Sequence, residues 1–268
     1  MRNNEDRLSG LVTQQETTAV QSTGLSFVTP TEFVDLPSKG KLYSVGHPLH
    51  KKVTIEIKQM TAKEEDILTS ESYIKKGVVL EKFLESIIVD KSIRPEDLTT
   101  SDRSAIFLAA RILAYGPEYK VSTVCPKCSK KKDFVYDLLQ HPKIEPVPEE
   151  LQLTDKGTFF IELPNTKWVV ECRSLTGKDE NKFEKNKVVD NAVSTQLKSL
   201  VVSINGVTDK ALLEQAISVI PAKDSVFLRA KFKNSMPSVN FSFNLECECD
   251  FVGEVDVPIT LEFFWPKS

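Results

Sequence analysis

Lys52-Val-Thr-Ile-Glu-Ile-Lys-Gln-Met-Thr-Ala-Lys-Glu-Glu-Asp66 aligns without a gap on Lys167-Trp-Val-Val-Glu-Cys-Arg-Ser-Leu-Thr-Gly-Lys-Asp-Glu-Asn181, and five of the fifteen positions are identical. Working outward, Phe33-Val-Asp-Leu-Pro-Ser38 precedes the first copy and Phe160-Ile-Glu-Leu-Pro-Asn165 the second. Downstream, Asp102 stands 23 residues before Cys125, and Asp224 stands 23 residues before Cys247. The order of Leu-Pro turn, strand, Thr-led helix, Asp-led helix and cysteine knuckle occurs twice. The expected fold is therefore α+β, a tandem duplication of a strand–helices–knuckle unit. The implied organisation is an N-terminal arm over 1–26, a first repeat over 27–139, a linker over 140–157 and a second repeat over 158–268.

Local chemistry supports each element. Val53, Ile55 and Ile57 alternate with Thr54, Glu56 and Lys58, the period of a half-buried strand. Thr61 and Glu64 fit a capping box, in which hydroxyl and carboxylate each satisfy a free amide at a helix start. Val79, Leu80, Phe83, Leu84, Ile87 and Ile88 recur at helical spacing. A further helix starts near Thr99–Asp102 and ends at Gly116-Pro117. In the second repeat a strand over 168–173 leads to a helix from Thr176, and Leu197, Leu200, Val201 and Ile204 read as one helical face. Helices are expected from Thr208 to Ile220 and from Pro221 or Asp224 to about Asn234. Phe241, Phe243 and Leu245 form the strand into Cys247. The polar stretch 1–26 reads as a disordered arm, and three prolines stiffen the linker. Leu261-Glu-Phe-Phe-Trp-Pro266 reads as a closing strand, either buried or docking a partner.

Composition narrows the function. The 268 residues carry 27% charged side chains and a formal net charge of −3, as in a soluble globular protein and unlike a dedicated polyanion binder. No apolar run approaches the roughly 20 residues that cross a bilayer, and no secretory leader is recognisable. A reducing cytosol is the expected compartment, where paired cysteines more often hold metal than each other.

Four of the five cysteines fall into two half-sites, Cys125-Pro-Lys-Cys128 and Cys247-Glu-Cys249. Cys172 aligns with Ile57 and reads as a core residue. Two knuckles on hairpins would make a zinc-ribbon-like site, with Cys125, Cys128, Cys247 and Cys249 holding one structural Zn²⁺ and no position open to water. The second knuckle has one intervening residue rather than two. That leaves room for Asp250 or His141 as a substitute ligand, and a disulfide, free thiols or a redox site as alternatives. Lys127 and Lys130–Lys132 would offset part of the negative charge of such a site. An Asp-Phe-Val follows each knuckle (from Asp133 and from Asp250) and suggests matching return strands.

No catalytic constellation stands out. His47, His50 and His141 lie in loop-like contexts, and no glycine-rich phosphate loop, GxSxG or HExxH occurs. Glu64, Glu65, Asp179 and Glu180 sit in first helical turns, where acids favour the dipole. The chain reads as a non-enzyme. A zinc-ribbon nucleic-acid binder using Lys127 and Lys130–Lys132 is the alternative, and its affinity would fall steeply with salt.

The succession Leu36-Pro-Ser-Lys-Gly-Lys-Leu-Tyr43, Met60-Thr-Ala-Lys-Glu-Glu-Asp-Ile-Leu68, Asp102-Arg-Ser-Ala-Ile-Phe-Leu-Ala-Ala-Arg111, Tyr115-Gly116, Cys125-Pro-Lys-Cys128 and Phe263-Phe-Trp-Pro266 resembles the baseplate proteins of T-even-type, contractile-tailed bacteriophages, hub and hub assembly proteins among them. The likeness spans roughly residues 27 to 268. It implies a virion assembly protein made in host cytoplasm, used in the tail baseplate as hub component or assembly factor. Its partners would be other tail proteins, with no nucleic acid, membrane or small-molecule substrate. The resemblance assigns no binding residues; the residues themselves offer the Phe263–Pro266 segment and the arm as docking elements.

Overall fold

A computed structural model describes residues 28–185, 192–257 and 261–264. The expected arm, Trp265 and Pro266 lie outside the described residues. β1 (Thr31–Asp35) and β2 (Thr54–Lys58) form a hairpin, followed by helices α1 (Ala62–Thr69), α2 (Glu71–Lys76), α3 (Val79–Ile87) and α4 (Thr100–Tyr115). A second hairpin, β3 (Glu118–Val124) and β4 (Lys131–Asp137), leads to a short β5 (Lys143–Glu145). Then come β6 (Thr158–Glu162), β7 (Val169–Arg173), α5 (Gly177–Lys185), α6 (Ala192–Leu200), β8 (Val201–Ile204), α7 (Lys210–Val219) and α8 (Ala222–Ser235). β9 (Ser238–Asn240) and the hairpin β10 (Ser242–Cys247)–β11 (Phe251–Asp256) follow, and a 3-10 turn over Leu261–Phe264 ends the described chain. The fold is mixed α and β with small antiparallel sheets.

The two Leu-Pro hairpins share one register. Thr31 faces Lys58 and Val34 faces Ile55 in the first; Thr158 faces Arg173 and Ile161 faces Val170 in the second. Alternation buries Ile55 and Ile57 in one, and Val170 and Cys172 in the other. The helix that follows each hairpin is capped alike. Glu64 accepts from the Thr61 amide at 2.9 Å and from the Lys58 ammonium at 2.9 Å. Asp179 accepts from the Thr176 amide at 3.0 Å and from the Arg173 guanidinium at 2.8 Å. Burial alone would raise the Glu64 pKa, but the hydrogen bonds from Lys58, Ser86 and Thr61 outweigh it and hold the carboxyl at about 2. A depressed carboxylate stabilises the fold above its unfolded pKa and loses that contribution as pH falls through the folded one. Glu64→Gln is expected to lower stability at neutral pH and to flatten the acid limb of the stability–pH curve between about 4.5 and 2. Urea melts at a series of pH values check this; a parallel displacement of the whole curve would count against it.

A buried aspartate fastens each Leu-Pro turn to a helix start. Asp102, in the first turn of α4, accepts from Ser38 N (3.0 Å), Ser38 Oγ (2.6 Å) and Tyr43 Oη (2.7 Å). Asp224, in the first turn of α8, accepts from Asn165 N (2.9 Å) and Thr166 N (2.8 Å). Removing a carboxylate from three buried donors leaves desolvated groups unpaired. Asp102→Ala is therefore expected to cost about 2–3 kcal/mol, measured by denaturant titration; a loss below about 1 kcal/mol, the net worth of one ordinary hydrogen bond, would show that the turn is held otherwise.

Two apolar cores result. One gathers Phe83, Leu84, Ile87 and Ile106 with Val34, Ile55 and Ile57; the other gathers Phe159, Ile161, Val170 and Cys172 with Leu197, Leu200, Leu228 and Phe232. The C-terminal segment does not stay with the second. Val257, Phe263 and Phe264 are part of the first core, as are the inward residues of β3 and β4. Two expectations are corrected here. Val201–Ile204 is not helical but a third strand, pairing with β7; a Val-Val-Ser-Ile run rich in β-branched residues suits a sheet edge better than a helix end. The aromatic C-terminus is a 3-10 turn rather than a strand, because Phe263 and Phe264 both insert into a core instead of alternating. The proline-rich linker also makes structure of its own: β5 pairs with β9, and Val147 is buried with its amide on the Pro37 carbonyl at 2.9 Å.

Candidate metal centre

The two knuckles sit at the tips of the β3–β4 and β10–β11 hairpins, and the hairpins lie against one another. Phe134 and Phe243 pack with centroids 3.8 Å apart and ring planes tilted by 31°, and Tyr136 donates from its hydroxyl to the Ser242 carbonyl at 3.2 Å. This packing sets the tips side by side. Lysines close the seam: Lys127 Nζ donates to the Cys249 carbonyl at 2.8 Å, Lys132 Nζ to the Glu246 carbonyl at 2.6 Å, and Lys130 pairs with Glu248 at 3.2 Å. Sequence reasoning placed these lysines near the thiols but missed that they reach across to the other hairpin. The alternating aromatic positions of the strands were the available signal.

The unequal knuckles are reconciled by their turns. Cys125 N donates to the Lys130 carbonyl at 2.9 Å, so the first ladder closes at Cys125–Lys130 over a four-residue loop. The second closes at Cys247–Phe251 over three. In each loop the residue after the second cysteine takes the left-handed conformation, Ser129 at φ 58° and Asp250 at φ 62°. Aspartate is among the residues that tolerate this region, and a three-residue loop ending in such a residue is a common hairpin closure. The missing residue is therefore absorbed between the cysteines without displacing Cys249. The shared Asp-Phe-Val does not mark equivalent positions: Asp133 lies mid-strand opposite Ser122, whereas Asp250 is in the turn.

All four Sγ atoms lie within 4.8 Å of one another. Cys125–Cys249 and Cys128–Cys247 are each 3.6 Å apart. A disulfide needs about 2.05 Å, so these are four free thiols. A tetrahedron with Zn–S bonds of about 2.3 Å has edges of about 3.8 Å, so the donor set and its spacing suit Zn²⁺. Burial raises the Cys125 pKa, but the Cys128 and Lys127 amides and the neighbouring sulfurs bring it down to about 6. Cys249 is pushed up to about 12 by burial and by the three surrounding sulfurs. Among the described residues no other side chain joins the cluster. His141 stays with its own turn, its Nδ1 3.0 Å from the Asp137 amide. His47 stacks on Tyr43, and Cys172 is fully buried in the second core, its thiol raised to about 12 chiefly by desolvation.

Residues 29–265 match the family described as T4 bacteriophage base plate protein. The chain belongs to that family. No curated protein and no solved structure matches it. Membership in the T4 base plate family gives the chain a structural role in the phage tail, in contact with other tail proteins. No helix among the described residues is long and apolar enough to cross a membrane.

Proposed function

We propose that this chain is a non-enzymatic baseplate protein, a hub component or hub assembly factor. In this reading it is a tandem duplication whose two knuckles share one structural zinc held by Cys125, Cys128, Cys247 and Cys249. The observation that carries it is the meeting of four thiols from hairpin tips 119 residues apart. The duplication is supported by the common register of the Leu-Pro hairpins, by the Lys58–Glu64 and Arg173–Asp179 pairs, and by Asp102 and Asp224 on their turns. A filled tetrahedron leaves no site for substrate, so the metal acts as a clip that ties the C-terminal hairpin onto the first unit. The partners are other tail proteins, met in the host cytoplasm during assembly. Of the residues in the nucleic-acid reading, Lys127, Lys130 and Lys132 reach to the second hairpin, which weighs against that reading.

Affinity purification of the tagged chain from infected cells, with mass spectrometry and metal analysis, tests the proposal. Stoichiometric tail proteins and one zinc per chain are expected. Presence in finished virions would mark a hub component, and presence in intermediates alone an assembly factor. Recovery of nucleic acid in place of tail proteins would overturn the reading.

A further inference from the structure

α4 and α8 occupy corresponding places, each beginning with the aspartate that fastens a Leu-Pro turn. Aligning Asp102 with Asp224 matches one buried face in both helices: Ile106 with Leu228, and Ala110 with Phe232. The opposite faces differ. Ser101, Ala105 and Leu108 are 7%, 4% and 6% exposed in α4, so that helix is covered on both sides by its own chain. Their counterparts Lys223, Phe227 and Ala230 are all exposed. Beside them Val226 is 58% and Phe227 38% exposed, an apolar pair at the centre of the stripe with Lys223 and Lys231 one turn to either side.

Charge gives the occupant's character. Residues 192–235 carry six basic side chains (Lys198, Lys210, Lys223, Arg229, Lys231, Lys233) against three acidic ones (Asp209, Glu214, Asp224), in a chain whose net charge is −3. Glu214 and Lys198 pair with each other, Asp209 caps Leu212 and Asp224 holds the Asn165 and Thr166 amides, so Lys223 and Lys231 beside the apolar pair form no ion pair with an acid of this set. We infer that the Val226–Phe227 face of α8 is a docking surface for an acidic segment of another tail protein. The segment's apolar side chains cover Val226 and Phe227, and its carboxylates meet Lys223 and Lys231. At the Phe227 position the partner does what the chain does for itself at Ala105, while the Val226 position corresponds to the half-buried Ser104. An apolar centre with a charged rim is the usual build of such an interface.

This inference rests on the baseplate reading, and the test separates the two. Phage carrying Val226→Asp with Phe227→Asp, and phage carrying Lys223→Glu with Lys231→Glu, are compared with wild type for co-sedimentation of the chain with baseplate intermediates. The substituted positions are exposed, so both purified variants should melt and bind zinc as wild type does. Loss of the chain from intermediates in both, and a photo-crosslinker at position 226 trapping an Asp/Glu-rich peptide of another tail protein, is the expected result. Normal incorporation of either variant, or a crosslink to a second copy of the chain or to nucleic acid, would overturn it. Absence of the wild-type chain from intermediates would instead sink the baseplate reading, and this inference with it.

Discussion

Replacing Cys125 and Cys128 with Ser is expected to abolish zinc binding and to produce the largest loss of stability of any change outside the two cores. Structural zinc contributes an apparent 10–16 kcal/mol, roughly, in small peptide sites, where binding and folding are one process. Here stacked hairpins already hold the sulfurs near their final places, so part of that energy is not needed for folding. A loss of roughly 5 kcal/mol remains a reasonable expectation, and for a chain of this size it corresponds to a fall in Tm of about 10–20 °C. The same fall should follow chelation of the wild-type protein by EDTA, and chelation should add nothing to the variant. Cys249→Ser decides whether the short knuckle supplies both of its ligands: full loss of zinc is expected. Retention of one zinc per chain in Cys249→Ser would show that Cys247 alone serves from that side, and unchanged melting in all three experiments would remove the clip from the account.

What could be read from the sequence and what could not follows from the range of the forces involved. Strands β2 and β7 and the helices after them were legible because period-two alternation and a Thr61–Glu64 capping box are local signals and the aligned segments occur twice, whereas the partner strands β1 and β6 went unread because pairing is not local. The four cysteines were legible by type and pairing. Their geometry was not, because the short Cys247-Glu-Cys249 spacing depends on a left-handed Asp250 that no spacing rule announces. The Asp-Phe-Val motif did announce the return strands β4 and β11 but not their register: identical residues fall at different places relative to a turn that is one residue shorter. Val201–Ile204 departs from the helical expectation because so short a segment, Val-Val-Ser-Ile, fits either period, and pairing with β7 decided the outcome. The destination of the C-terminus was least legible of all. Two adjacent phenylalanines announce burial or docking, but only packing across more than 150 residues determines which.

That packing sets the second large expectation. Phe263 and Phe264 are 0% and 2% exposed. Phe264 lies 4.9 Å from Phe83 and 5.8 Å from Phe107, centroid to centroid, and Phe263 lies 5.1 Å from Tyr119. The Phe263 carbonyl accepts from Arg111 Nε at 2.8 Å. Arg111 is itself buried, and its Nη1 and Nη2 donate to the Gly116 and Glu118 carbonyls at 2.9 and 3.0 Å, so three backbone oxygens stand in for water around one guanidinium. These two residues are therefore not a docking element; they fasten the end of the second unit into the core of the first. Phe264→Ala is expected to cost about 3–5 kcal/mol, the usual price of a truncated core phenylalanine. The loss should couple to that of the proposed zinc clip, because both would hold the same C-terminal segment on the first core. In a double-mutant cycle with Cys125→Ser, the combined loss should fall short of the sum, since a segment already released by one change has less to lose by the other. Strict additivity would mean that the hairpin and the aromatic turn are held independently. A Phe264→Ala protein as stable as wild type would show that the first core closes without its C-terminal plug.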